Sequence, residues 1–341
     1  SSRFPPVGEL VFRERMCGKF AMDKSKTSIE KTPLTILTGF LGAGKTTLLN
    51  RYLQTDEATG TAVLVNEFGA VDVDGAVIDA RQQGARLMNL PNGCVCCEVQ
   101  EDLAAAIVSL AEAAETSGIR HCVIETTGLA SPGSILRGLA HDTRLRSLVK
   151  ARQTLTVASA ASIADELRRF SEAGSQVALA DRLVVTKSET VPSDQLSRAM
   201  MELAIRNPLA EIDIASDETN VAGLFEPPPL QTRLIQARPD AERHEHTHGI
   251  TSFSVPLPHA LDADLFRDVM SFWIMRHAER LLRVKGVLRF AGDATARLLN
   301  VVHDVADVSP IDTKGASSLV FIGFDLPQDE IVSDLERCVP R

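Results

Sequence analysis

No run of apolar residues approaches the ~20 needed to cross a bilayer as a helix. The N-terminal stretch also lacks the basic, apolar and small-residue order of a secretory signal, so the cytoplasm is the expected compartment and no membrane partner is expected. Positive charge is in deficit. Lys and Arg number 36 against 45 Asp and Glu, a formal charge of −9, which excludes a nucleic-acid binder that works by neutralising phosphates over a broad surface. Cysteine is scarce and unevenly placed: of six, Cys94, Cys96 and Cys97 crowd together, whereas a disulfide framework would spread them. Metal or redox chemistry is the better reading of such a cluster. The chain has neither an internal repeat nor a long low-complexity tract.

What is present is a globular composition, 44% hydrophobic and 24% charged over 341 residues, with a length that points to two domains. Residues 1–31 show no sustained periodicity and are expected to form a mobile extension. From 32 to 237 short apolar runs alternate with helix-like segments. Leu34–Leu37, Ala62–Val65, Cys122–Ile124, Leu155–Val157 and Leu183–Val185 read as buried strands, and Thr46–Leu53 and Glu101–Glu115 as helices. That alternation predicts an α/β domain, a parallel sheet with helices on both faces. The pattern weakens near Pro227–Pro229, and residues 238–249 read as a polar linker holding His244, His246 and His248, which could also collect or relay metal. Residues 250–341 predict a smaller α+β domain, with strands at Thr251–Val255, Leu282–Phe290 and Ser318–Phe324 and helices at Asp262–Met275 and Gln328–Cys338.

The sharpest motif is Gly39-Phe40-Leu41-Gly42-Ala43-Gly44-Lys45-Thr46, a phosphate loop between a predicted strand and a predicted helix. Its glycines let backbone N–H groups converge on phosphate oxygens, Lys45 is expected to bridge the β- and γ-phosphates, and Thr46 to ligate Mg²⁺. Glu125-Thr126-Thr127-Gly128 follows an apolar strand, so Glu125 should emerge at the carboxyl edge of the sheet. There it can hold Mg²⁺ or its water while the Gly128 N–H senses the γ-phosphate; ordinary helix capping is the alternative. Glu67, in Asn66-Glu67-Phe68-Gly69, could touch Mg²⁺, the attacking water or a second metal, or merely solvate a loop. Thr186-Lys187-Ser188-Glu189 follows another strand. A carboxylate there can accept from guanine N1–H and the 2-amino group, which adenine does not offer, although the usual form of this motif is N-K-x-D.

Gly93-Cys94-Val95-Cys96-Cys97 places three soft ligands within four residues. As thiolates they need one further donor for a tetrahedral site, for which Glu67, His121 and water are candidates. Zinc, cobalt, nickel or Cu(I) suit such ligands, while a thiol redox switch or simple packing would explain them without metal. Cys122 reads as a core residue, and Cys17 and Cys338 lie near the chain ends.

In order, the motifs G-F-L-G-A-G-K-T-T, N-E-F-G, N-G-C-V-C-C, E-T-T-G and T-K-x-E resemble the CobW-type GTPases, relatives of the nickel-insertion GTPases for urease and hydrogenase. The likeness continues through Asn207-Pro208, Arg283–Leu288 and Ser318–Gly323. It implies a P-loop GTPase domain with a CobW C-terminal domain, use of GTP and Mg²⁺, and metal delivery to a client protein or metal homeostasis as the task. Zinc is the first choice and cobalt the second, because zinc tolerates a tetrahedral thiolate site without any demand from its d-electrons. By residue it carries phosphate binding to Gly39, Gly42, Ala43, Gly44, Lys45, Thr46 and Thr47, thiolate ligation to Cys94, Cys96 and Cys97, and the magnesium-side carboxylate to Glu125. The chain departs from the family pattern at Ala70, where a second Glu is common, at Ser159, where Asp is frequent, and at Thr186 and Glu189. The rival readings are a metal buffer or sensor, which needs no turnover, and a small-molecule P-loop kinase, which needs an acceptor site. The client and the oligomeric state, a homo-oligomer included, stay open.

Overall fold

The computed structural model describes residues 31–65, 86–89, 98–229 and 250–340. They fall into two compact units, one ending at Pro229 and the other beginning at Ile250. Apart from Lys31, the predicted extension 1–31 lies outside the described residues, as does the predicted linker 238–249.

The first unit is built on seven parallel strands: β1 (Thr32–Gly39), β2 (Thr61–Val65), β3 (Arg86–Asn89), β4 (His121–Glu125), β5 (Val149–Ser159), β6 (Arg182–Thr186) and β7 (Glu211–Ile214). They lie in the order β3-β2-β4-β1-β5-β6-β7. The predicted segments all fall within β1, β2, β4, β5 and β6. Successive side chains of a strand point to opposite faces, and the cores divide accordingly. Leu37, Val63, Val123, Leu155, Val157 and Val184 face one way, against α1 (Lys45–Leu53) and the short α8 (Val221–Leu224). Ile36, Leu64 and Ile124 face the other way, against α2 (Glu98–Ser117), α3 (Pro132–His141) and α4 (Thr143–Leu148). On that same side Ala158, Leu183 and Val185 meet α5 (Ile163–Arg169), α6 (Ser171–Ala178) and α7 (Ser193–Arg206). Helix α1 buries Lys45, Leu48, Leu49, Tyr52 and Leu53, the spacing of a single helical face.

The second unit is a five-stranded antiparallel sheet. Its strands β8 (Ile250–Pro256), β9 (Leu281–Leu288), β10 (Arg297–Val302), β11 (Val305–Pro310) and β12 (Ser318–Phe324) lie in the order β11-β10-β9-β12-β8. Helices α9 (Ala263–Arg276) and α10 (Gln328–Glu336) pack on one face through Phe266, Met270, Trp273, Ile331 and Leu335. Asp262 is the cap of α9 rather than part of it, its carboxylate accepting from the N–H groups of Asp264 and Leu265. The predicted strand to Phe290 stops at Leu288, and the predicted helix to Cys338 stops at Glu336.

At the amino-terminal end of β4 a polar network is sealed inside the first unit. His121 Nε2 hydrogen-bonds Thr35 Oγ1 at 2.9 Å, and Nδ1 pairs with the Tyr52 hydroxyl at 3.3 Å, which also meets Thr61 Oγ1 at 3.3 Å. Phe225 stacks on the Tyr52 ring, centroid to centroid 3.9 Å. Burial lowers the imidazole to about 4, and the Arg152 charge acts in the same direction, with Glu226 opposing. The folded state therefore favours neutral His121, so this stability is present above the ordinary value of about 6.5 and is lost as pH falls from there towards about 4. Going from pH 7 to pH 5 should cost about 2 kcal/mol through this residue. Urea midpoints at the two pH values should differ more for the wild type than for His121→Gln, and equal differences would remove the titration from His121.

Candidate functional site

The phosphate loop leaves β1 at Gly39, whose φ of 142° suits glycine and whose hypothetical Cβ would lie 2.2 Å from the Val157 carbonyl oxygen of β5. No side chain fits there. Gly42 and Gly44 adopt left-handed φ of 71° and 96°, and α1 begins at Lys45 with no side chain capping it. The first turn of α1 thus starts at the carboxyl end of β1 with no side chain on its leading N–H groups, an arrangement that suits phosphate oxygens. Lys45 is folded back over the loop, its Nζ donating to the carbonyls of Gly39 at 2.9 Å and Phe40 at 3.2 Å. One residue on, the Thr46 hydroxyl donates to Glu125 Oε1 at 2.6 Å. Thr47 faces solvent.

Glu125 is the last residue of β4 and is level with Leu37 of β1, so it emerges at the carboxyl edge as expected. The segment after it is tied to β1, with Thr126 N–H donating to the Leu37 carbonyl at 2.9 Å and its hydroxyl to Thr38 Oγ1 at 2.8 Å. Gly128 then passes against the phosphate loop so closely that a Cβ would lie 2.7 Å from the Leu41 nitrogen. The cap of the following helix α3 is Ser131, not a residue of Glu125–Gly128.

The turn after β6 docks on the same loop. Thr186 Oγ1 donates to the Ala43 carbonyl at 2.7 Å, and Lys187 Nζ to the Gly42 carbonyl at 2.8 Å. Lys187 itself has a left-handed φ of 56°. This leaves Glu189 exposed on the short 3-10 turn Ser188–Thr190. Strand order therefore gathers Gly39, Gly42, Ala43, Gly44, Lys45, Thr46, Glu125, Gly128, Thr186, Lys187 and Glu189 at one end of the sheet, and Ser159, last in β5, is buried between β1 and β6.

Two residues that the motifs did not mark also belong to this end. Gln176 of α6 donates from its side-chain amide to the carbonyls of Gly128 and Ala130, both at 3.0 Å. Glu166 of α5 is buried with one carboxylate oxygen that has no hydrogen-bond partner among the described residues. Burial raises its carboxyl, against the lowering effects of the Ser162 hydroxyl and the Lys187 and Lys45 charges. The available signal was a polar side chain on the buried stripe of a helix, as with Gln176 between Ala173 and Ala180.

Glu67, Ala70, Cys94, Cys96 and Cys97, and likewise His244, His246 and His248, lie outside the described residues. His121, one of the candidate fourth donors, has both ring nitrogens engaged by Thr35 and Tyr52 at the opposite end of β4 from Glu125, an arrangement that serves the core. Cys122 and Cys338 are buried free thiols, pushed by burial to about 12 and about 11. They stay protonated, as expected of core residues rather than ligands. No cluster of three or more His, Cys, Asp or Glu that could hold a metal occurs among the described residues. None of their helices is long and apolar enough to cross a membrane.

Residues 33–212 match the family model of the CobW/HypB/UreG nucleotide-binding domain, and residues 250–339 that of the cobalamin synthesis protein cobW C-terminal domain. The zinc chaperone YjiA of Escherichia coli is 30% identical over 310 residues, spanning 87% of this chain and 96% of YjiA. The zinc chaperone CobW of Pseudomonas aeruginosa is 29% identical, with 92% of each chain covered. Among solved structures, the Zn(II)-bound YjiA GTPase from E. coli superposes with a TM-score of 0.72 at 26% identity, covering 92% of this chain and all of that one. The seven-stranded parallel sheet with its phosphate loop and the antiparallel second unit are the P-loop GTPase fold and its C-terminal companion. The chain belongs to the CobW/HypB/UreG family of P-loop nucleotide-binding proteins.

Proposed function

We propose that this chain is a cytoplasmic GTPase that holds zinc on Cys94, Cys96 and Cys97 and releases it to a client metalloprotein under control of the bound nucleotide. The observation that carries the reading is the docking of Thr186 and Lys187 on the phosphate loop at 2.7 and 2.8 Å. It seats the turn that carries Glu189, read here as the guanine acceptor, on the phosphate loop, whereas a small-molecule kinase would need an acceptor pocket instead. The relatives named as zinc chaperones supply the choice of metal, and thiolates suit zinc because its filled d-shell tolerates a tetrahedral sulfur-rich site. Cobalt stands second on the same ligand softness.

In this reading the loop N–H groups from Gly42 to Thr46 bind the phosphates, and Lys45 exchanges its two carbonyl partners for the β- and γ-oxygens. Glu189 accepts from guanine, while Gly128 offers its N–H to the γ-phosphate. The Thr46 hydroxyl and the Glu125 carboxylate, already 2.6 Å apart at the sheet edge, are the residues that would hold Mg²⁺. When bound, the ion neutralises charge on the β- and γ-oxygens. Glu67 is assigned to the attacking water or the Mg²⁺ side. The segment from Asn66 to Cys97 joins the γ-phosphate side to the thiolates in sequence, so ordering it by triphosphate would gather the three sulfurs and hydrolysis would release them.

Three outcomes follow for the full chain. Hydrolysis should be slow, on the order of 10⁻³ per second or less, because no arginine finger is evident among the motifs. A phosphate-release assay should show GTP preferred over ATP and activity lost in Lys45→Ala; equal turnover of both nucleotides would remove Glu189 as a guanine reader. Replacing Cys94, Cys96 and Cys97 together with Ser should abolish one tight zinc site per chain and leave nucleotide binding intact, as read by chelator competition. Full zinc stoichiometry in that variant would move the ligands elsewhere, the histidines at 244, 246 and 248 first. Finally, zinc affinity should differ about five- to 150-fold between the GDP and GTP-analogue forms. Indistinguishable affinities in competition titrations would leave buffering as the better account.

A further inference from the structure

Gln176 is almost fully buried on α6, beneath the segment that follows β4. Its Nε2 lies 3.0 Å from the carbonyl oxygens of both Gly128 and Ala130. An amide group facing two carbonyls can only present its nitrogen, whose two protons match two acceptors, so the orientation of this side chain follows from its partners. The helix that carries Gln176 is itself fixed. The Thr156 hydroxyl of β5 donates to the Gln176 main-chain carbonyl at 2.9 Å. Asn207 Nδ2 lies 2.7, 3.2 and 2.9 Å from the carbonyls of Val177, Ala178 and Ala180 at the helix end.

Gly128 is thereby held from three directions. Upstream, Thr126 is bonded to Leu37 and Thr38 of β1. Above, the Leu41 backbone of the phosphate loop leaves no space for a Cβ. Below, Gln176 grips the carbonyl of Gly128 itself and that of Ala130 two residues on. A γ-phosphate sensor has to keep its N–H in place before the phosphate arrives, since an N–H that must be reoriented loses part of the gain.

We infer that Gln176 is a positioning residue that clamps the Gly128–Ala130 backbone for the γ-phosphate and so sets how strongly the protein distinguishes GTP from GDP. The inference rests on Gly128 sensing the γ-phosphate, as proposed above. GDP lacks the γ-phosphate that this segment would sense and should be indifferent to the clamp.

The test is calorimetric titration of the full chain with GDP and with a non-hydrolysable GTP analogue, both with Mg²⁺, for the wild type, Gln176→Glu and Gln176→Met. Glu keeps the shape but sets an acceptor against two carbonyls, and Met keeps the bulk with no donor. Both variants should bind GDP within about twofold of wild type and lose about tenfold in analogue affinity, the size that one to two net hydrogen bonds carry. A proportional loss for both nucleotides, tracking a fall in melting temperature, would make Gln176 a packing residue only. Unchanged affinities would overturn the clamp while leaving the sensor in place. A wild type that binds the analogue no better than GDP would overturn the sensor and the clamp together. Should the variants fail to fold, selectively ¹⁵N-labelled Gln176 in the wild type gives the same decision. Its side-chain amide signals should be protected from exchange and shift when the analogue replaces GDP, and signals blind to the nucleotide would overturn the proposal.

Discussion

The hydrogen bond from the Thr46 hydroxyl to Glu125, 2.6 Å long, joins residues 79 positions apart in sequence. It exists because β4 lies beside β1, a neighbour that the chain reaches only after passing through β2 and β3. The register sets Leu37 against Glu125, so the carboxylate ends level with the start of the phosphate loop. The same edge receives Val157 beside Gly39 and Thr186 beside Ser159. Parallel strands make this possible, since their carboxyl ends all open on one side, and the connections run one way along the sheet from β1 to β2 and the other way from β4 to β5, a switch in strand order of the kind where open α/β sheets bind ligands. Glu125 is only 4% exposed. A carboxylate buried to that extent is costly without donors, and the first turn of α1 supplies one.

The departure from the usual base-reading motif is smaller in space than in sequence. An Asn at 186 would have two amide donors; Thr has one, and it is used on the Ala43 carbonyl at 2.7 Å. The turn therefore stays seated on the phosphate loop, close enough that a Cβ added at Gly44 would meet the Thr186 side chain at 3.8 Å. Lys187 sits in the left-handed region at a cost of about 1–2 kcal/mol for a residue with a Cβ. That conformation brings its ammonium onto the Gly42 carbonyl, a charge-assisted bond of comparable size. Glu189 carries one more methylene than Asp, and its exposed position on a short turn gives that extra length room to fold back.

Which parts of this were legible in the sequence follows from burial. Central strands β1, β2, β4 and β6 are unbroken apolar or β-branched runs because both their faces are covered, so Leu34–Leu37 and Leu183–Val185 read as strands without help. Edge strand β7 did not, because Glu-Ile-Asp-Ile is half exposed and its acids pair with Arg182 on β6. The hairpin of β10 and β11 was hidden by its turn, where His303 takes a left-handed φ of 52° in place of the Gly or Asn that usually marks one. In the site, the phosphate loop was plain, since backbone geometry forces its glycines. Gln176 and Glu166 were not, since nothing local to them requires a polar residue and their partners come from other elements.

Asn207 gives the remaining step. The sequence marks it only as part of an Asn-Pro pair, yet its amide lies on three carbonyls at the end of α6, while its own Oδ1 accepts from the Leu209 N–H at 3.1 Å. A helix of eight residues leaves half its carbonyls without intrahelical partners and frays unless they are satisfied. Asn207 supplies that satisfaction from the far side of α7, and the same backbone continues through Asp181, whose carbonyl accepts from Glu211 N–H and whose carboxylate accepts from Thr154 N–H. Helix α6 is thus fixed at its end by the connection that leads into β7 and at its buried face by the segment after β4. The segment that carries Gly128 is thus hydrogen-bonded to α6, and β6, which ends at Thr186, follows directly from that helix through Asp181, so under the proposed function a nucleotide spanning both would meet a frame whose spacing is set before it binds.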